Sequence, residues 1–215
     1  MARYRTLLLD LDDTIYPASS GLWEVIGDRI NRFMIEVVGI KPIQAPVLRR
    51  LYFERYGTSL NGLRLHHGVD PNAYLRYVHD VPLQDYLSPD PGLRRMLENL
   101  ARPAVIFTNS DSAHARRVLA VLGVGDLIDQ IVDIIALEWV NKPQPGAYRR
   151  AMSLCGQDNP SACIVADDQL RNLLPASELG MGTVLVGSGE PLDGVDHAIR
   201  LASELLSAVP ELAQA

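Results

Sequence analysis

From Pro89 onward, short apolar runs alternate with segments whose apolar residues recur at helical spacing. The predicted strands cover residues 6–11, 104–107, 131–135, 162–165 and 183–186. The predicted helices between the later strands cover residues 93–100, 114–122, 147–155 and 173–179. Strands that alternate with helices in this way pair in parallel, with helices on both faces of the sheet. The pattern therefore predicts an α/β domain built on a parallel sheet.

The first predicted strand is separated from the others by a helical insertion of about 70 residues. Between Tyr16 and Leu87 the apolar residues follow helical spacing, and no run is typical of a strand. We therefore expect a core domain of residues 1–16 and 88–215 and a small all-helical domain of residues 17–87. An insertion at this point is well placed to act as a lid over the carboxyl ends of the strands.

The composition is that of a globular protein, with 47% hydrophobic and 21% charged residues among 215. The net charge is −6, so the broad basic surface of a nucleic-acid-binding protein is missing. Cys155 and Cys163 form no metal-binding or disulfide-rich pattern, which fits a reducing compartment. Asp10 interrupts the apolar N-terminal run, and no run approaches the roughly 18 apolar residues of a transmembrane helix. We therefore expect a cytoplasmic protein with no membrane or nucleic-acid polymer as partner.

Polar residues form four clusters, three at the ends of predicted strands and one between a predicted strand and the next predicted helix. They are Asp10-Leu11-Asp12-Asp13-Thr14, Thr108-Asn109, Lys142 before Pro143, and Asp167-Asp168. A single Asp after a strand is usually a helix cap or a turn residue. Open parallel sheets, however, bind ligands beyond the carboxyl ends of their strands. Four clusters that converge on this edge therefore predict a functional site.

The residue types in these clusters indicate phosphoryl transfer. Several carboxylates in one crevice repel one another unless a cation lies among them, and oxygen ligands in low number suit Mg²⁺. Thr108 and Asn109 offer hydrogen-bond donors for phosphoryl oxygens, and Lys142 offers a compact positive charge. Phosphoryl transfer depends mainly on positioning and on charge stabilisation, and a carboxylate nucleophile divides it into two steps through an aspartyl phosphate.

The four clusters match, in order, the four motifs of the haloacid dehalogenase-like (HAD) phosphohydrolases, and the insertion resembles the C1 cap of that superfamily. The resemblance implies a HAD-like Rossmannoid sheet with a helical C1-type cap inserted after the first strand. Seven stretches further resemble the pyrimidine 5′-nucleotidase family: residues 9–17, 56–63, 77–80, 89–91, 106–110, 194–198 and 210–212. The likeness extends from about Leu7 to Leu212, which is nearly the whole chain.

The resemblance implies a role for each residue that takes part in the reaction. Asp10 is expected to be the nucleophile, with its other oxygen on Mg²⁺. Asp12 is expected to protonate the leaving alcohol, then to activate water, and to bind the metal through its backbone carbonyl. Thr108 and the backbone of Asn109 are expected to hold phosphoryl oxygens, while Lys142 neutralises charge and orients Asp10.

The metal ligands implied by the resemblance are completed by the last pair of acids. Asp168 is expected to be the main carboxylate ligand, with Asp167 contributing directly or through water. Asp13 is expected to be a turn residue rather than a ligand. Gln169 departs from the Ser that is usual in the family, and we expect this change to tune the site rather than to abolish it.

Substrate choice is expected to lie in the cap and in the loop that follows the first motif. Tyr16 in this loop either stacks on a nucleobase or seals the hinge of the cap. His66 and His67 are expected to lie in a polar loop of the cap, because no third ligand accompanies them.

The function implied by the resemblance is Mg²⁺-dependent removal of the 5′-phosphate from UMP or CMP. The alternatives are a HAD phosphatase for another small phosphate, such as a sugar phosphate or a cofactor precursor, and a phosphomutase. A dehalogenase is disfavoured because it needs no Mg²⁺. A receiver-like module that binds phosphate and Mg²⁺ without turnover is the alternative of a different class, although receivers are shorter and lack a helical insertion.

Overall fold

The computed structural model describes residues 3–190 and 192–213. The chain divides into two compact units. The core unit comprises the residues up to Ser20 together with those from Leu87 onward, and the helical unit comprises Gly21–Tyr86. The assignment of these units as a catalytic core and a cap stays a prediction.

The core unit contains a parallel sheet, as the alternating pattern predicts. Within the described residues its strands are β1 (Thr6–Leu9), β2 (Ala104–Phe107), β3 (Gln130–Val132), β4 (Cys163–Asp167), β5 (Gly182–Val186) and β6 (His197–Ile199). Their order across the sheet is β3-β2-β1-β4-β5-β6, and every pairing is parallel. The prediction of a parallel α/β sheet is therefore confirmed.

Strand β1 lies near the middle of the sheet, between β2 and β4. Leu8 pairs with Val105 on one side and with Val165 on the other. All four residues of β1 are buried, because the strand has a neighbour on each side and the sheet is covered on both faces. Residues that follow β1, β2 and β4 therefore meet at one edge of the sheet.

The helices of the core unit begin at residues suited to helix starts. They are α5 (Pro91–Glu98), α6 (Ser112–Leu122), α7 (Pro145–Leu154), α8 (Leu170–Glu178) and the short α9 (Leu205–Ala208). The Asp90 side chain caps α5 by accepting hydrogen bonds from the backbone of Gly92 and Leu93. The Asp111 side chain caps α6 by accepting one from the backbone of His114, which fixes the start of α6 next to the end of β2.

Two predicted strands are shorter in the structure, and one strand was missed. The predicted strand 6–11 ends at Leu9, where the chain turns. The predicted strand 131–135 is observed as Gln130–Val132, because Asp133 leaves the sheet and accepts hydrogen bonds from the backbone of Ser112 and Ala136. Strand β6 was not predicted, because only three residues form it at the edge of the sheet.

The helical unit consists of α1 (Leu22–Glu36), α2 (Ala45–Tyr56), α3 (Ser59–His67) and α4 (Pro71–Val78). Helix α3 was missed in the sequence, although Thr58 is a typical N-cap whose hydroxyl accepts a hydrogen bond from the backbone of Asn61. Gly62 allows α3 to pack closely on α2, since a Cβ atom at this position would lie 2.2 Å from Cγ of Tyr52.

The predicted polar loop at His66 and His67 is wrong. Both residues belong to the last turn of α3, which ends at Gly68 with φ +63°. The His66 ring nitrogen lies 2.7 Å from the Tyr56 hydroxyl, and the His67 ring nitrogen lies 3.0 Å from that of Tyr52. The histidines therefore join α3 to α2. Within the described ranges, no helix is long and apolar enough to cross a membrane.

Candidate active site

The loop that follows β1 carries Asp10 to Thr14 and turns sharply. The backbone N–H groups of Thr14 and Ile15 both donate to the carbonyl of Leu11, and Asp13 has a positive φ of 57° within this turn. Asp10 stays tied to the neighbouring strand, because its backbone N–H donates to the carbonyl of Ala166 over 2.9 Å. The carboxyl group of Asp10 is therefore placed at the centre of the sheet edge.

Lys142 joins two buried carboxylates. Its Nζ lies 2.6 Å from Oδ1 of Asp10 and 2.7 Å from Oδ2 of Asp167, and its side chain is 1% exposed. Burial lowers the pKa of Lys142, but the charges of Asp10 and Asp167 outweigh burial and raise it overall. Burial raises the pKa of Asp10 well above its usual range, although the Lys142 ammonium opposes this increase. The lysine is therefore a fixed cation between the two acids.

Asp167 is held by several donors at once. Besides the ammonium group of Lys142, its carboxylate accepts hydrogen bonds from Nδ2 of Asn172 at 2.9 and 3.1 Å and from the backbone of Gln169 at 2.9 Å. The residue is fully buried at the end of β4. These contacts hold Asp167 in place against Lys142. The role of Asp167 as a metal ligand stays a prediction.

Asp168 is the more open of the two adjacent acids. The Thr14 hydroxyl accepts a hydrogen bond from the backbone of Asp168 over 3.0 Å and lies 3.1 Å from Oδ2 of Asp10, so it links the loops after β1 and β4. Burial, followed by the nearby charge of Asp167, raises the pKa of Asp168 to about 6. The side-chain amide of Gln169 donates to Oδ2 of Asp168.

The donor set of this cluster fits a hard divalent cation. Asp10, Asp167 and Asp168 each offer one carboxylate oxygen, and these three atoms lie within 4.8 Å of one another. All three donors are oxygens, which Mg²⁺ prefers. Burial is the main cause of the raised pKa values of Asp10 and Asp168, and the neighbouring acids add to it, so a bound cation would favour the charged form of both. The three acids could therefore hold a magnesium ion.

Thr108 and Asn109 lie beside this cluster, at the end of β2. The buried Thr108 hydroxyl accepts a hydrogen bond from the backbone of Ser110 over 3.0 Å. The Asn109 side chain accepts from the backbone N–H of Lys142 over 2.8 Å and donates to its carbonyl over 3.1 Å. The Asn109 side chain thus fixes the position of Lys142, while phosphoryl binding by Thr108 and by the Asn109 backbone stays a prediction.

The carboxylate of Asp12 points into a different set of side chains. Its Oδ1 lies 2.8 Å from the Tyr16 hydroxyl and 3.0 Å from Nε2 of His114, and its Oδ2 lies 2.6 Å from the Ser110 hydroxyl. Tyr16 is 2% exposed, so its ring offers little surface to a base, and the stacking role stays a prediction. Sequence reasoning missed Ser110 and His114, because Ser110 lies in the loop before α6 and its contact with Asp12 depends on the pairing of β1 with β2.

A cleft of about 600 Å³ opens beside the carboxylate cluster, within the core unit. Thr14, Tyr16 and Asp168 line it, together with aliphatic side chains such as Leu170 and with the basic side chain of Arg200. Asp12, Thr108 and Lys142 are not among its lining residues. The cleft therefore meets the site on the side of Asp168.

The sequence matches a family model described as haloacid dehalogenase-like hydrolase over residues 4–180. This match covers most of the chain and all four of the clusters described above. The chain therefore belongs to the haloacid dehalogenase-like hydrolases.

Two relatives of the chain have names that refer to phosphate or to a phosphatase. The chain is 30% identical over 195 residues to phosphate metabolism protein 8 of Saccharomyces cerevisiae, an alignment that covers 84% of this chain and 61% of the yeast protein. It is 27% identical over 196 residues to phosphoglycolate phosphatase of Neisseria gonorrhoeae, covering 83% of this chain and 81% of that protein. The chain therefore spans about three fifths of the length of the yeast relative.

Solved structures show the same fold. The HAD hydrolase YfnB from Bacillus subtilis, solved bound to magnesium, has a TM-score of 0.63 at 18% identity and covers 95% of this chain and 98% of its own. A HAD phosphatase from Thermococcus onnurineus has a TM-score of 0.62 at 19% identity and covers 98% of this chain and 100% of its own. At these identities the likeness concerns the fold alone.

Proposed function

We propose that the protein is a Mg²⁺-dependent phosphomonoester hydrolase that works through an aspartyl phosphate on Asp10. The observation that carries this proposal is the buried Asp10–Lys142–Asp167 array with Asp168 beside it. In this proposal, the array sets the Asp10 carboxylate, as the nucleophile, against the Lys142 ammonium, next to three acids that would hold the metal through oxygen atoms. The relative named phosphoglycolate phosphatase supports the same reaction class.

In the first step, a carboxylate oxygen of Asp10 attacks phosphorus, and the bond between phosphorus and the leaving oxygen breaks. Asp12 in its carboxylic acid form gives its proton to that oxygen, so the product leaves as a neutral alcohol. Lys142 keeps Asp10 oriented and balances the charge that builds up on the phosphoryl group. Thr108 and the backbone of Asn109 bind the phosphoryl oxygens in this proposal.

In the second step, water hydrolyses the aspartyl phosphate. The Asp12 carboxylate takes a proton from the water molecule as its oxygen attacks phosphorus, and the bond from phosphorus to Asp10 breaks. Inorganic phosphate leaves, Asp10 returns as a carboxylate, and Asp12 returns as an acid. Both steps therefore depend on one carboxyl group, which gives a proton to the leaving alcohol and then takes another from water.

The metal ion in this proposal is held by Asp10, by the backbone carbonyl of Asp12 and by Asp168, with Asp167 contributing directly or through water. When bound, Mg²⁺ supplies positive charge that offsets the charge of the phosphoryl oxygens. The raised pKa values of Asp10 and Asp168 support this assignment, because a cation would stabilise the charged carboxylates that burial and, to a smaller extent, the neighbouring acids disfavour.

The proposed substrates are pyrimidine nucleoside 5′-monophosphates, UMP and CMP. This narrower proposal depends on the stretches of sequence that resemble the pyrimidine 5′-nucleotidase family. A phosphatase for another small phosphate remains the alternative. A phosphomutase is a further alternative, supported by a 30% identity over 116 residues to beta-phosphoglucomutase of Bacillus subtilis, which covers 54% of this chain and 50% of that protein.

We propose a cytoplasmic location because the two cysteines form no disulfide bond with each other. Both Cys155 and Cys163 are free thiols. Burial raises the pKa of Cys163 to about 11, so this thiol stays protonated and unreactive near neutral pH.

Phosphate release from a substrate panel tests the proposal. The panel contains UMP, CMP, AMP, GMP, a sugar phosphate and an aryl phosphate, each with Mg²⁺ and with a chelator, and Asp10→Asn is the control for contaminating phosphatases. Mg²⁺-dependent release that favours UMP and CMP and is lost in the variant is the expected result. Release from other esters only would contradict the pyrimidine assignment. A stable phosphoprotein without turnover would support the receiver-like alternative instead.

A further inference from the structure

Three side chains from different parts of the core unit converge on the carboxylate of Asp12. We name Tyr16, Ser110 and His114 the Asp12 clamp. Tyr16 belongs to the loop after β1, Ser110 to the loop after β2, and His114 to the first turn of α6. Their polar atoms lie 2.8, 2.6 and 3.0 Å from the Asp12 oxygens. Two of them meet Oδ1 and one meets Oδ2, so the clamp restrains both oxygens of the carboxylate.

The clamp residues are buried, and hydrogen bonds hold the segments that carry Ser110 and His114. Tyr16, Ser110 and His114 are 2%, 5% and 1% exposed. The Ser110 carbonyl accepts a hydrogen bond from the backbone of Ile134 over 3.1 Å, and Asp111 caps the turn that carries His114. Side chains held in this way lose little further conformational entropy when the reaction needs them in place.

The chemistry of Asp12 requires such restraint. Its carboxyl group has to meet the leaving oxygen in one step and a water molecule in the next, and misplacement by about 1 Å costs about 100-fold in rate. A hydroxyl group can donate or accept a hydrogen bond, so Tyr16 and Ser110 can keep their contacts in both steps. His114 donates to Oδ1 when its proton is on Nε2.

We infer that Tyr16, Ser110 and His114 are positioning residues that hold the Asp12 carboxyl group in line with the leaving oxygen. This inference rests on the proposed function. It assigns Tyr16 to the reaction centre rather than to a nucleobase. The clamp acts through proton transfer by Asp12, because the hydrogen bonds of its members go to the Asp12 carboxylate.

The dependence of the rate on the leaving group tests this inference. Tyr16→Phe and Ser110→Ala each remove one hydroxyl group, and His114→Ala removes the imidazole. Rapid-quench measurement of phosphoenzyme formation compares two esters for each variant: the alkyl phosphate of the panel with the highest wild-type turnover, and 2,4-dinitrophenyl phosphate. The dinitrophenolate leaves without needing a proton, whereas an alkoxide does not.

We expect each variant to form phosphoenzyme from the alkyl ester about 10- to 100-fold more slowly than the wild type. Formation from the dinitrophenyl ester should stay within about threefold, and KM for the alkyl ester should change little. His114→Gln should recover part of the lost rate, because its amide nitrogen can occupy a position close to that of Nε2 and donate to Oδ1.

Val118→Ala is the matched control for general loosening of α6. Val118 is fully buried on the same helix and is not a member of the clamp. We expect Val118→Ala to lower stability and to change the rate of phosphoenzyme formation equally for the two esters. Provided that the wild type forms phosphoenzyme, the inference would be overturned if the clamp variants lost the same fraction of the rate on both esters, or lost no rate on either. Failure of the wild type to form phosphoenzyme from either ester would overturn the proposed function and the inference with it.

Discussion

Among single residues, Lys142 balances the charge of two acids in the site. Its ammonium group lies within hydrogen-bond distance of Asp10 and of Asp167, and all three side chains are buried. Breaking a buried ion pair by removing one partner is costly, because the charge left behind is no longer compensated. Removing the Lys142 ammonium group would leave two buried carboxylates, those of Asp10 and Asp167, without this compensating charge.

We expect Lys142→Met to lower the free energy of unfolding by about 3 kcal/mol in the absence of divalent cations. The physical reason is the repulsion between Asp10 and Asp167 once the ammonium group is gone. Urea denaturation at neutral pH measures the change. Arg94→Met is the matched control, since Arg94 forms an exposed ion pair with Asp126 at 2.9 Å and its loss should matter much less. Similar losses in the two variants would contradict the role given to Lys142.

The raised pKa of Asp168 predicts a dependence of stability on pH. Its value of about 6 in the folded protein exceeds the 3.8 of an ordinary Asp, so the folded state binds this proton more tightly than the unfolded state. The stability that this proton contributes is present below about pH 4 and is lost as the pH rises through about 6.

Between about pH 4 and about pH 7, the wild type should therefore lose about 2 kcal/mol of stability relative to Asp168→Asn when divalent cations are absent. Urea denaturation at the two pH values measures this difference. Asp126→Asn serves as the comparison, because Arg94 lowers the pKa of that exposed carboxyl group instead of raising it. A difference between wild type and Asp168→Asn that does not change with pH would exclude the expected coupling.

Gln169 contacts a proposed metal ligand through its side chain. Its amide donates to Oδ2 of Asp168 and competes with a cation for that oxygen. We expect Gln169→Ser, which restores the residue usual in the family, to strengthen Mg²⁺ binding about fivefold, the equivalent of one ordinary hydrogen bond. Isothermal titration calorimetry with MgCl₂ measures the affinity, and Gln144→Ser on the loop before α7 is the control. Weaker binding in the Gln169 variant would show that its amide helps to orient Asp168.

The sequence allowed the acids and Lys142 to be named as candidates, because their clusters are short and contiguous. It did not allow the contacts of Asp12 to be named. Ser110 and His114 are ordinary residues at a helix start, and their meaning depends on how the loops after β1 and β2 approach each other. That approach is set by the pairing of strands far apart in the sequence.

Among the elements, helices α2 and α3 depend on one glycine. A Cβ atom at Gly62 would lie 2.2 Å from the ring of Tyr52, which is buried and has no room to move without disturbing α2. Helix α3 was missed in the sequence because it is short, contains this glycine and ends in two histidines. Its packing on α2 decides its conformation more than its helical propensity does.

Gly62→Ala should lower the melting temperature of the protein, with a loss of about 2 kcal/mol in stability, because overpacking outweighs the better helical propensity of Ala. Thermal unfolding followed by circular dichroism measures the change. Gly27→Ala in α1 is the matched control, since a Cβ there would meet the end of the flexible Arg49 side chain. The control should stay close to the wild type. A melting temperature unchanged in the Gly62 variant would contradict the close packing of α2 and α3.

For the whole molecule, the α/β fold and the family could be predicted, since the fold depends on a repeated pattern and the family on four short motifs, and neither depends on single contacts. The parallel sheet follows from the alternation of strands and helices, and the family match covers residues 4–180. Strand β6 could not be predicted, because three residues at an edge carry too little pattern. The substrate depends on the shape of a binding surface, which no short motif encodes.

The central position of β1 has a consequence for the order in which this protein assembles during synthesis. Strand β1 is synthesised before its partners β2 and β4, which follow roughly 100 and 160 residues later along the chain. The Asp10 carboxylate therefore has no lysine partner until Lys142 has left the exit tunnel, and the acidic pair comes later still. The helices between β1 and β2 are complete by then, and their contacts are mostly local. A nascent chain in which Asp168 has not yet left the exit tunnel thus carries Asp10, the proposed nucleophile, without the groups that the proposed reaction needs beside it.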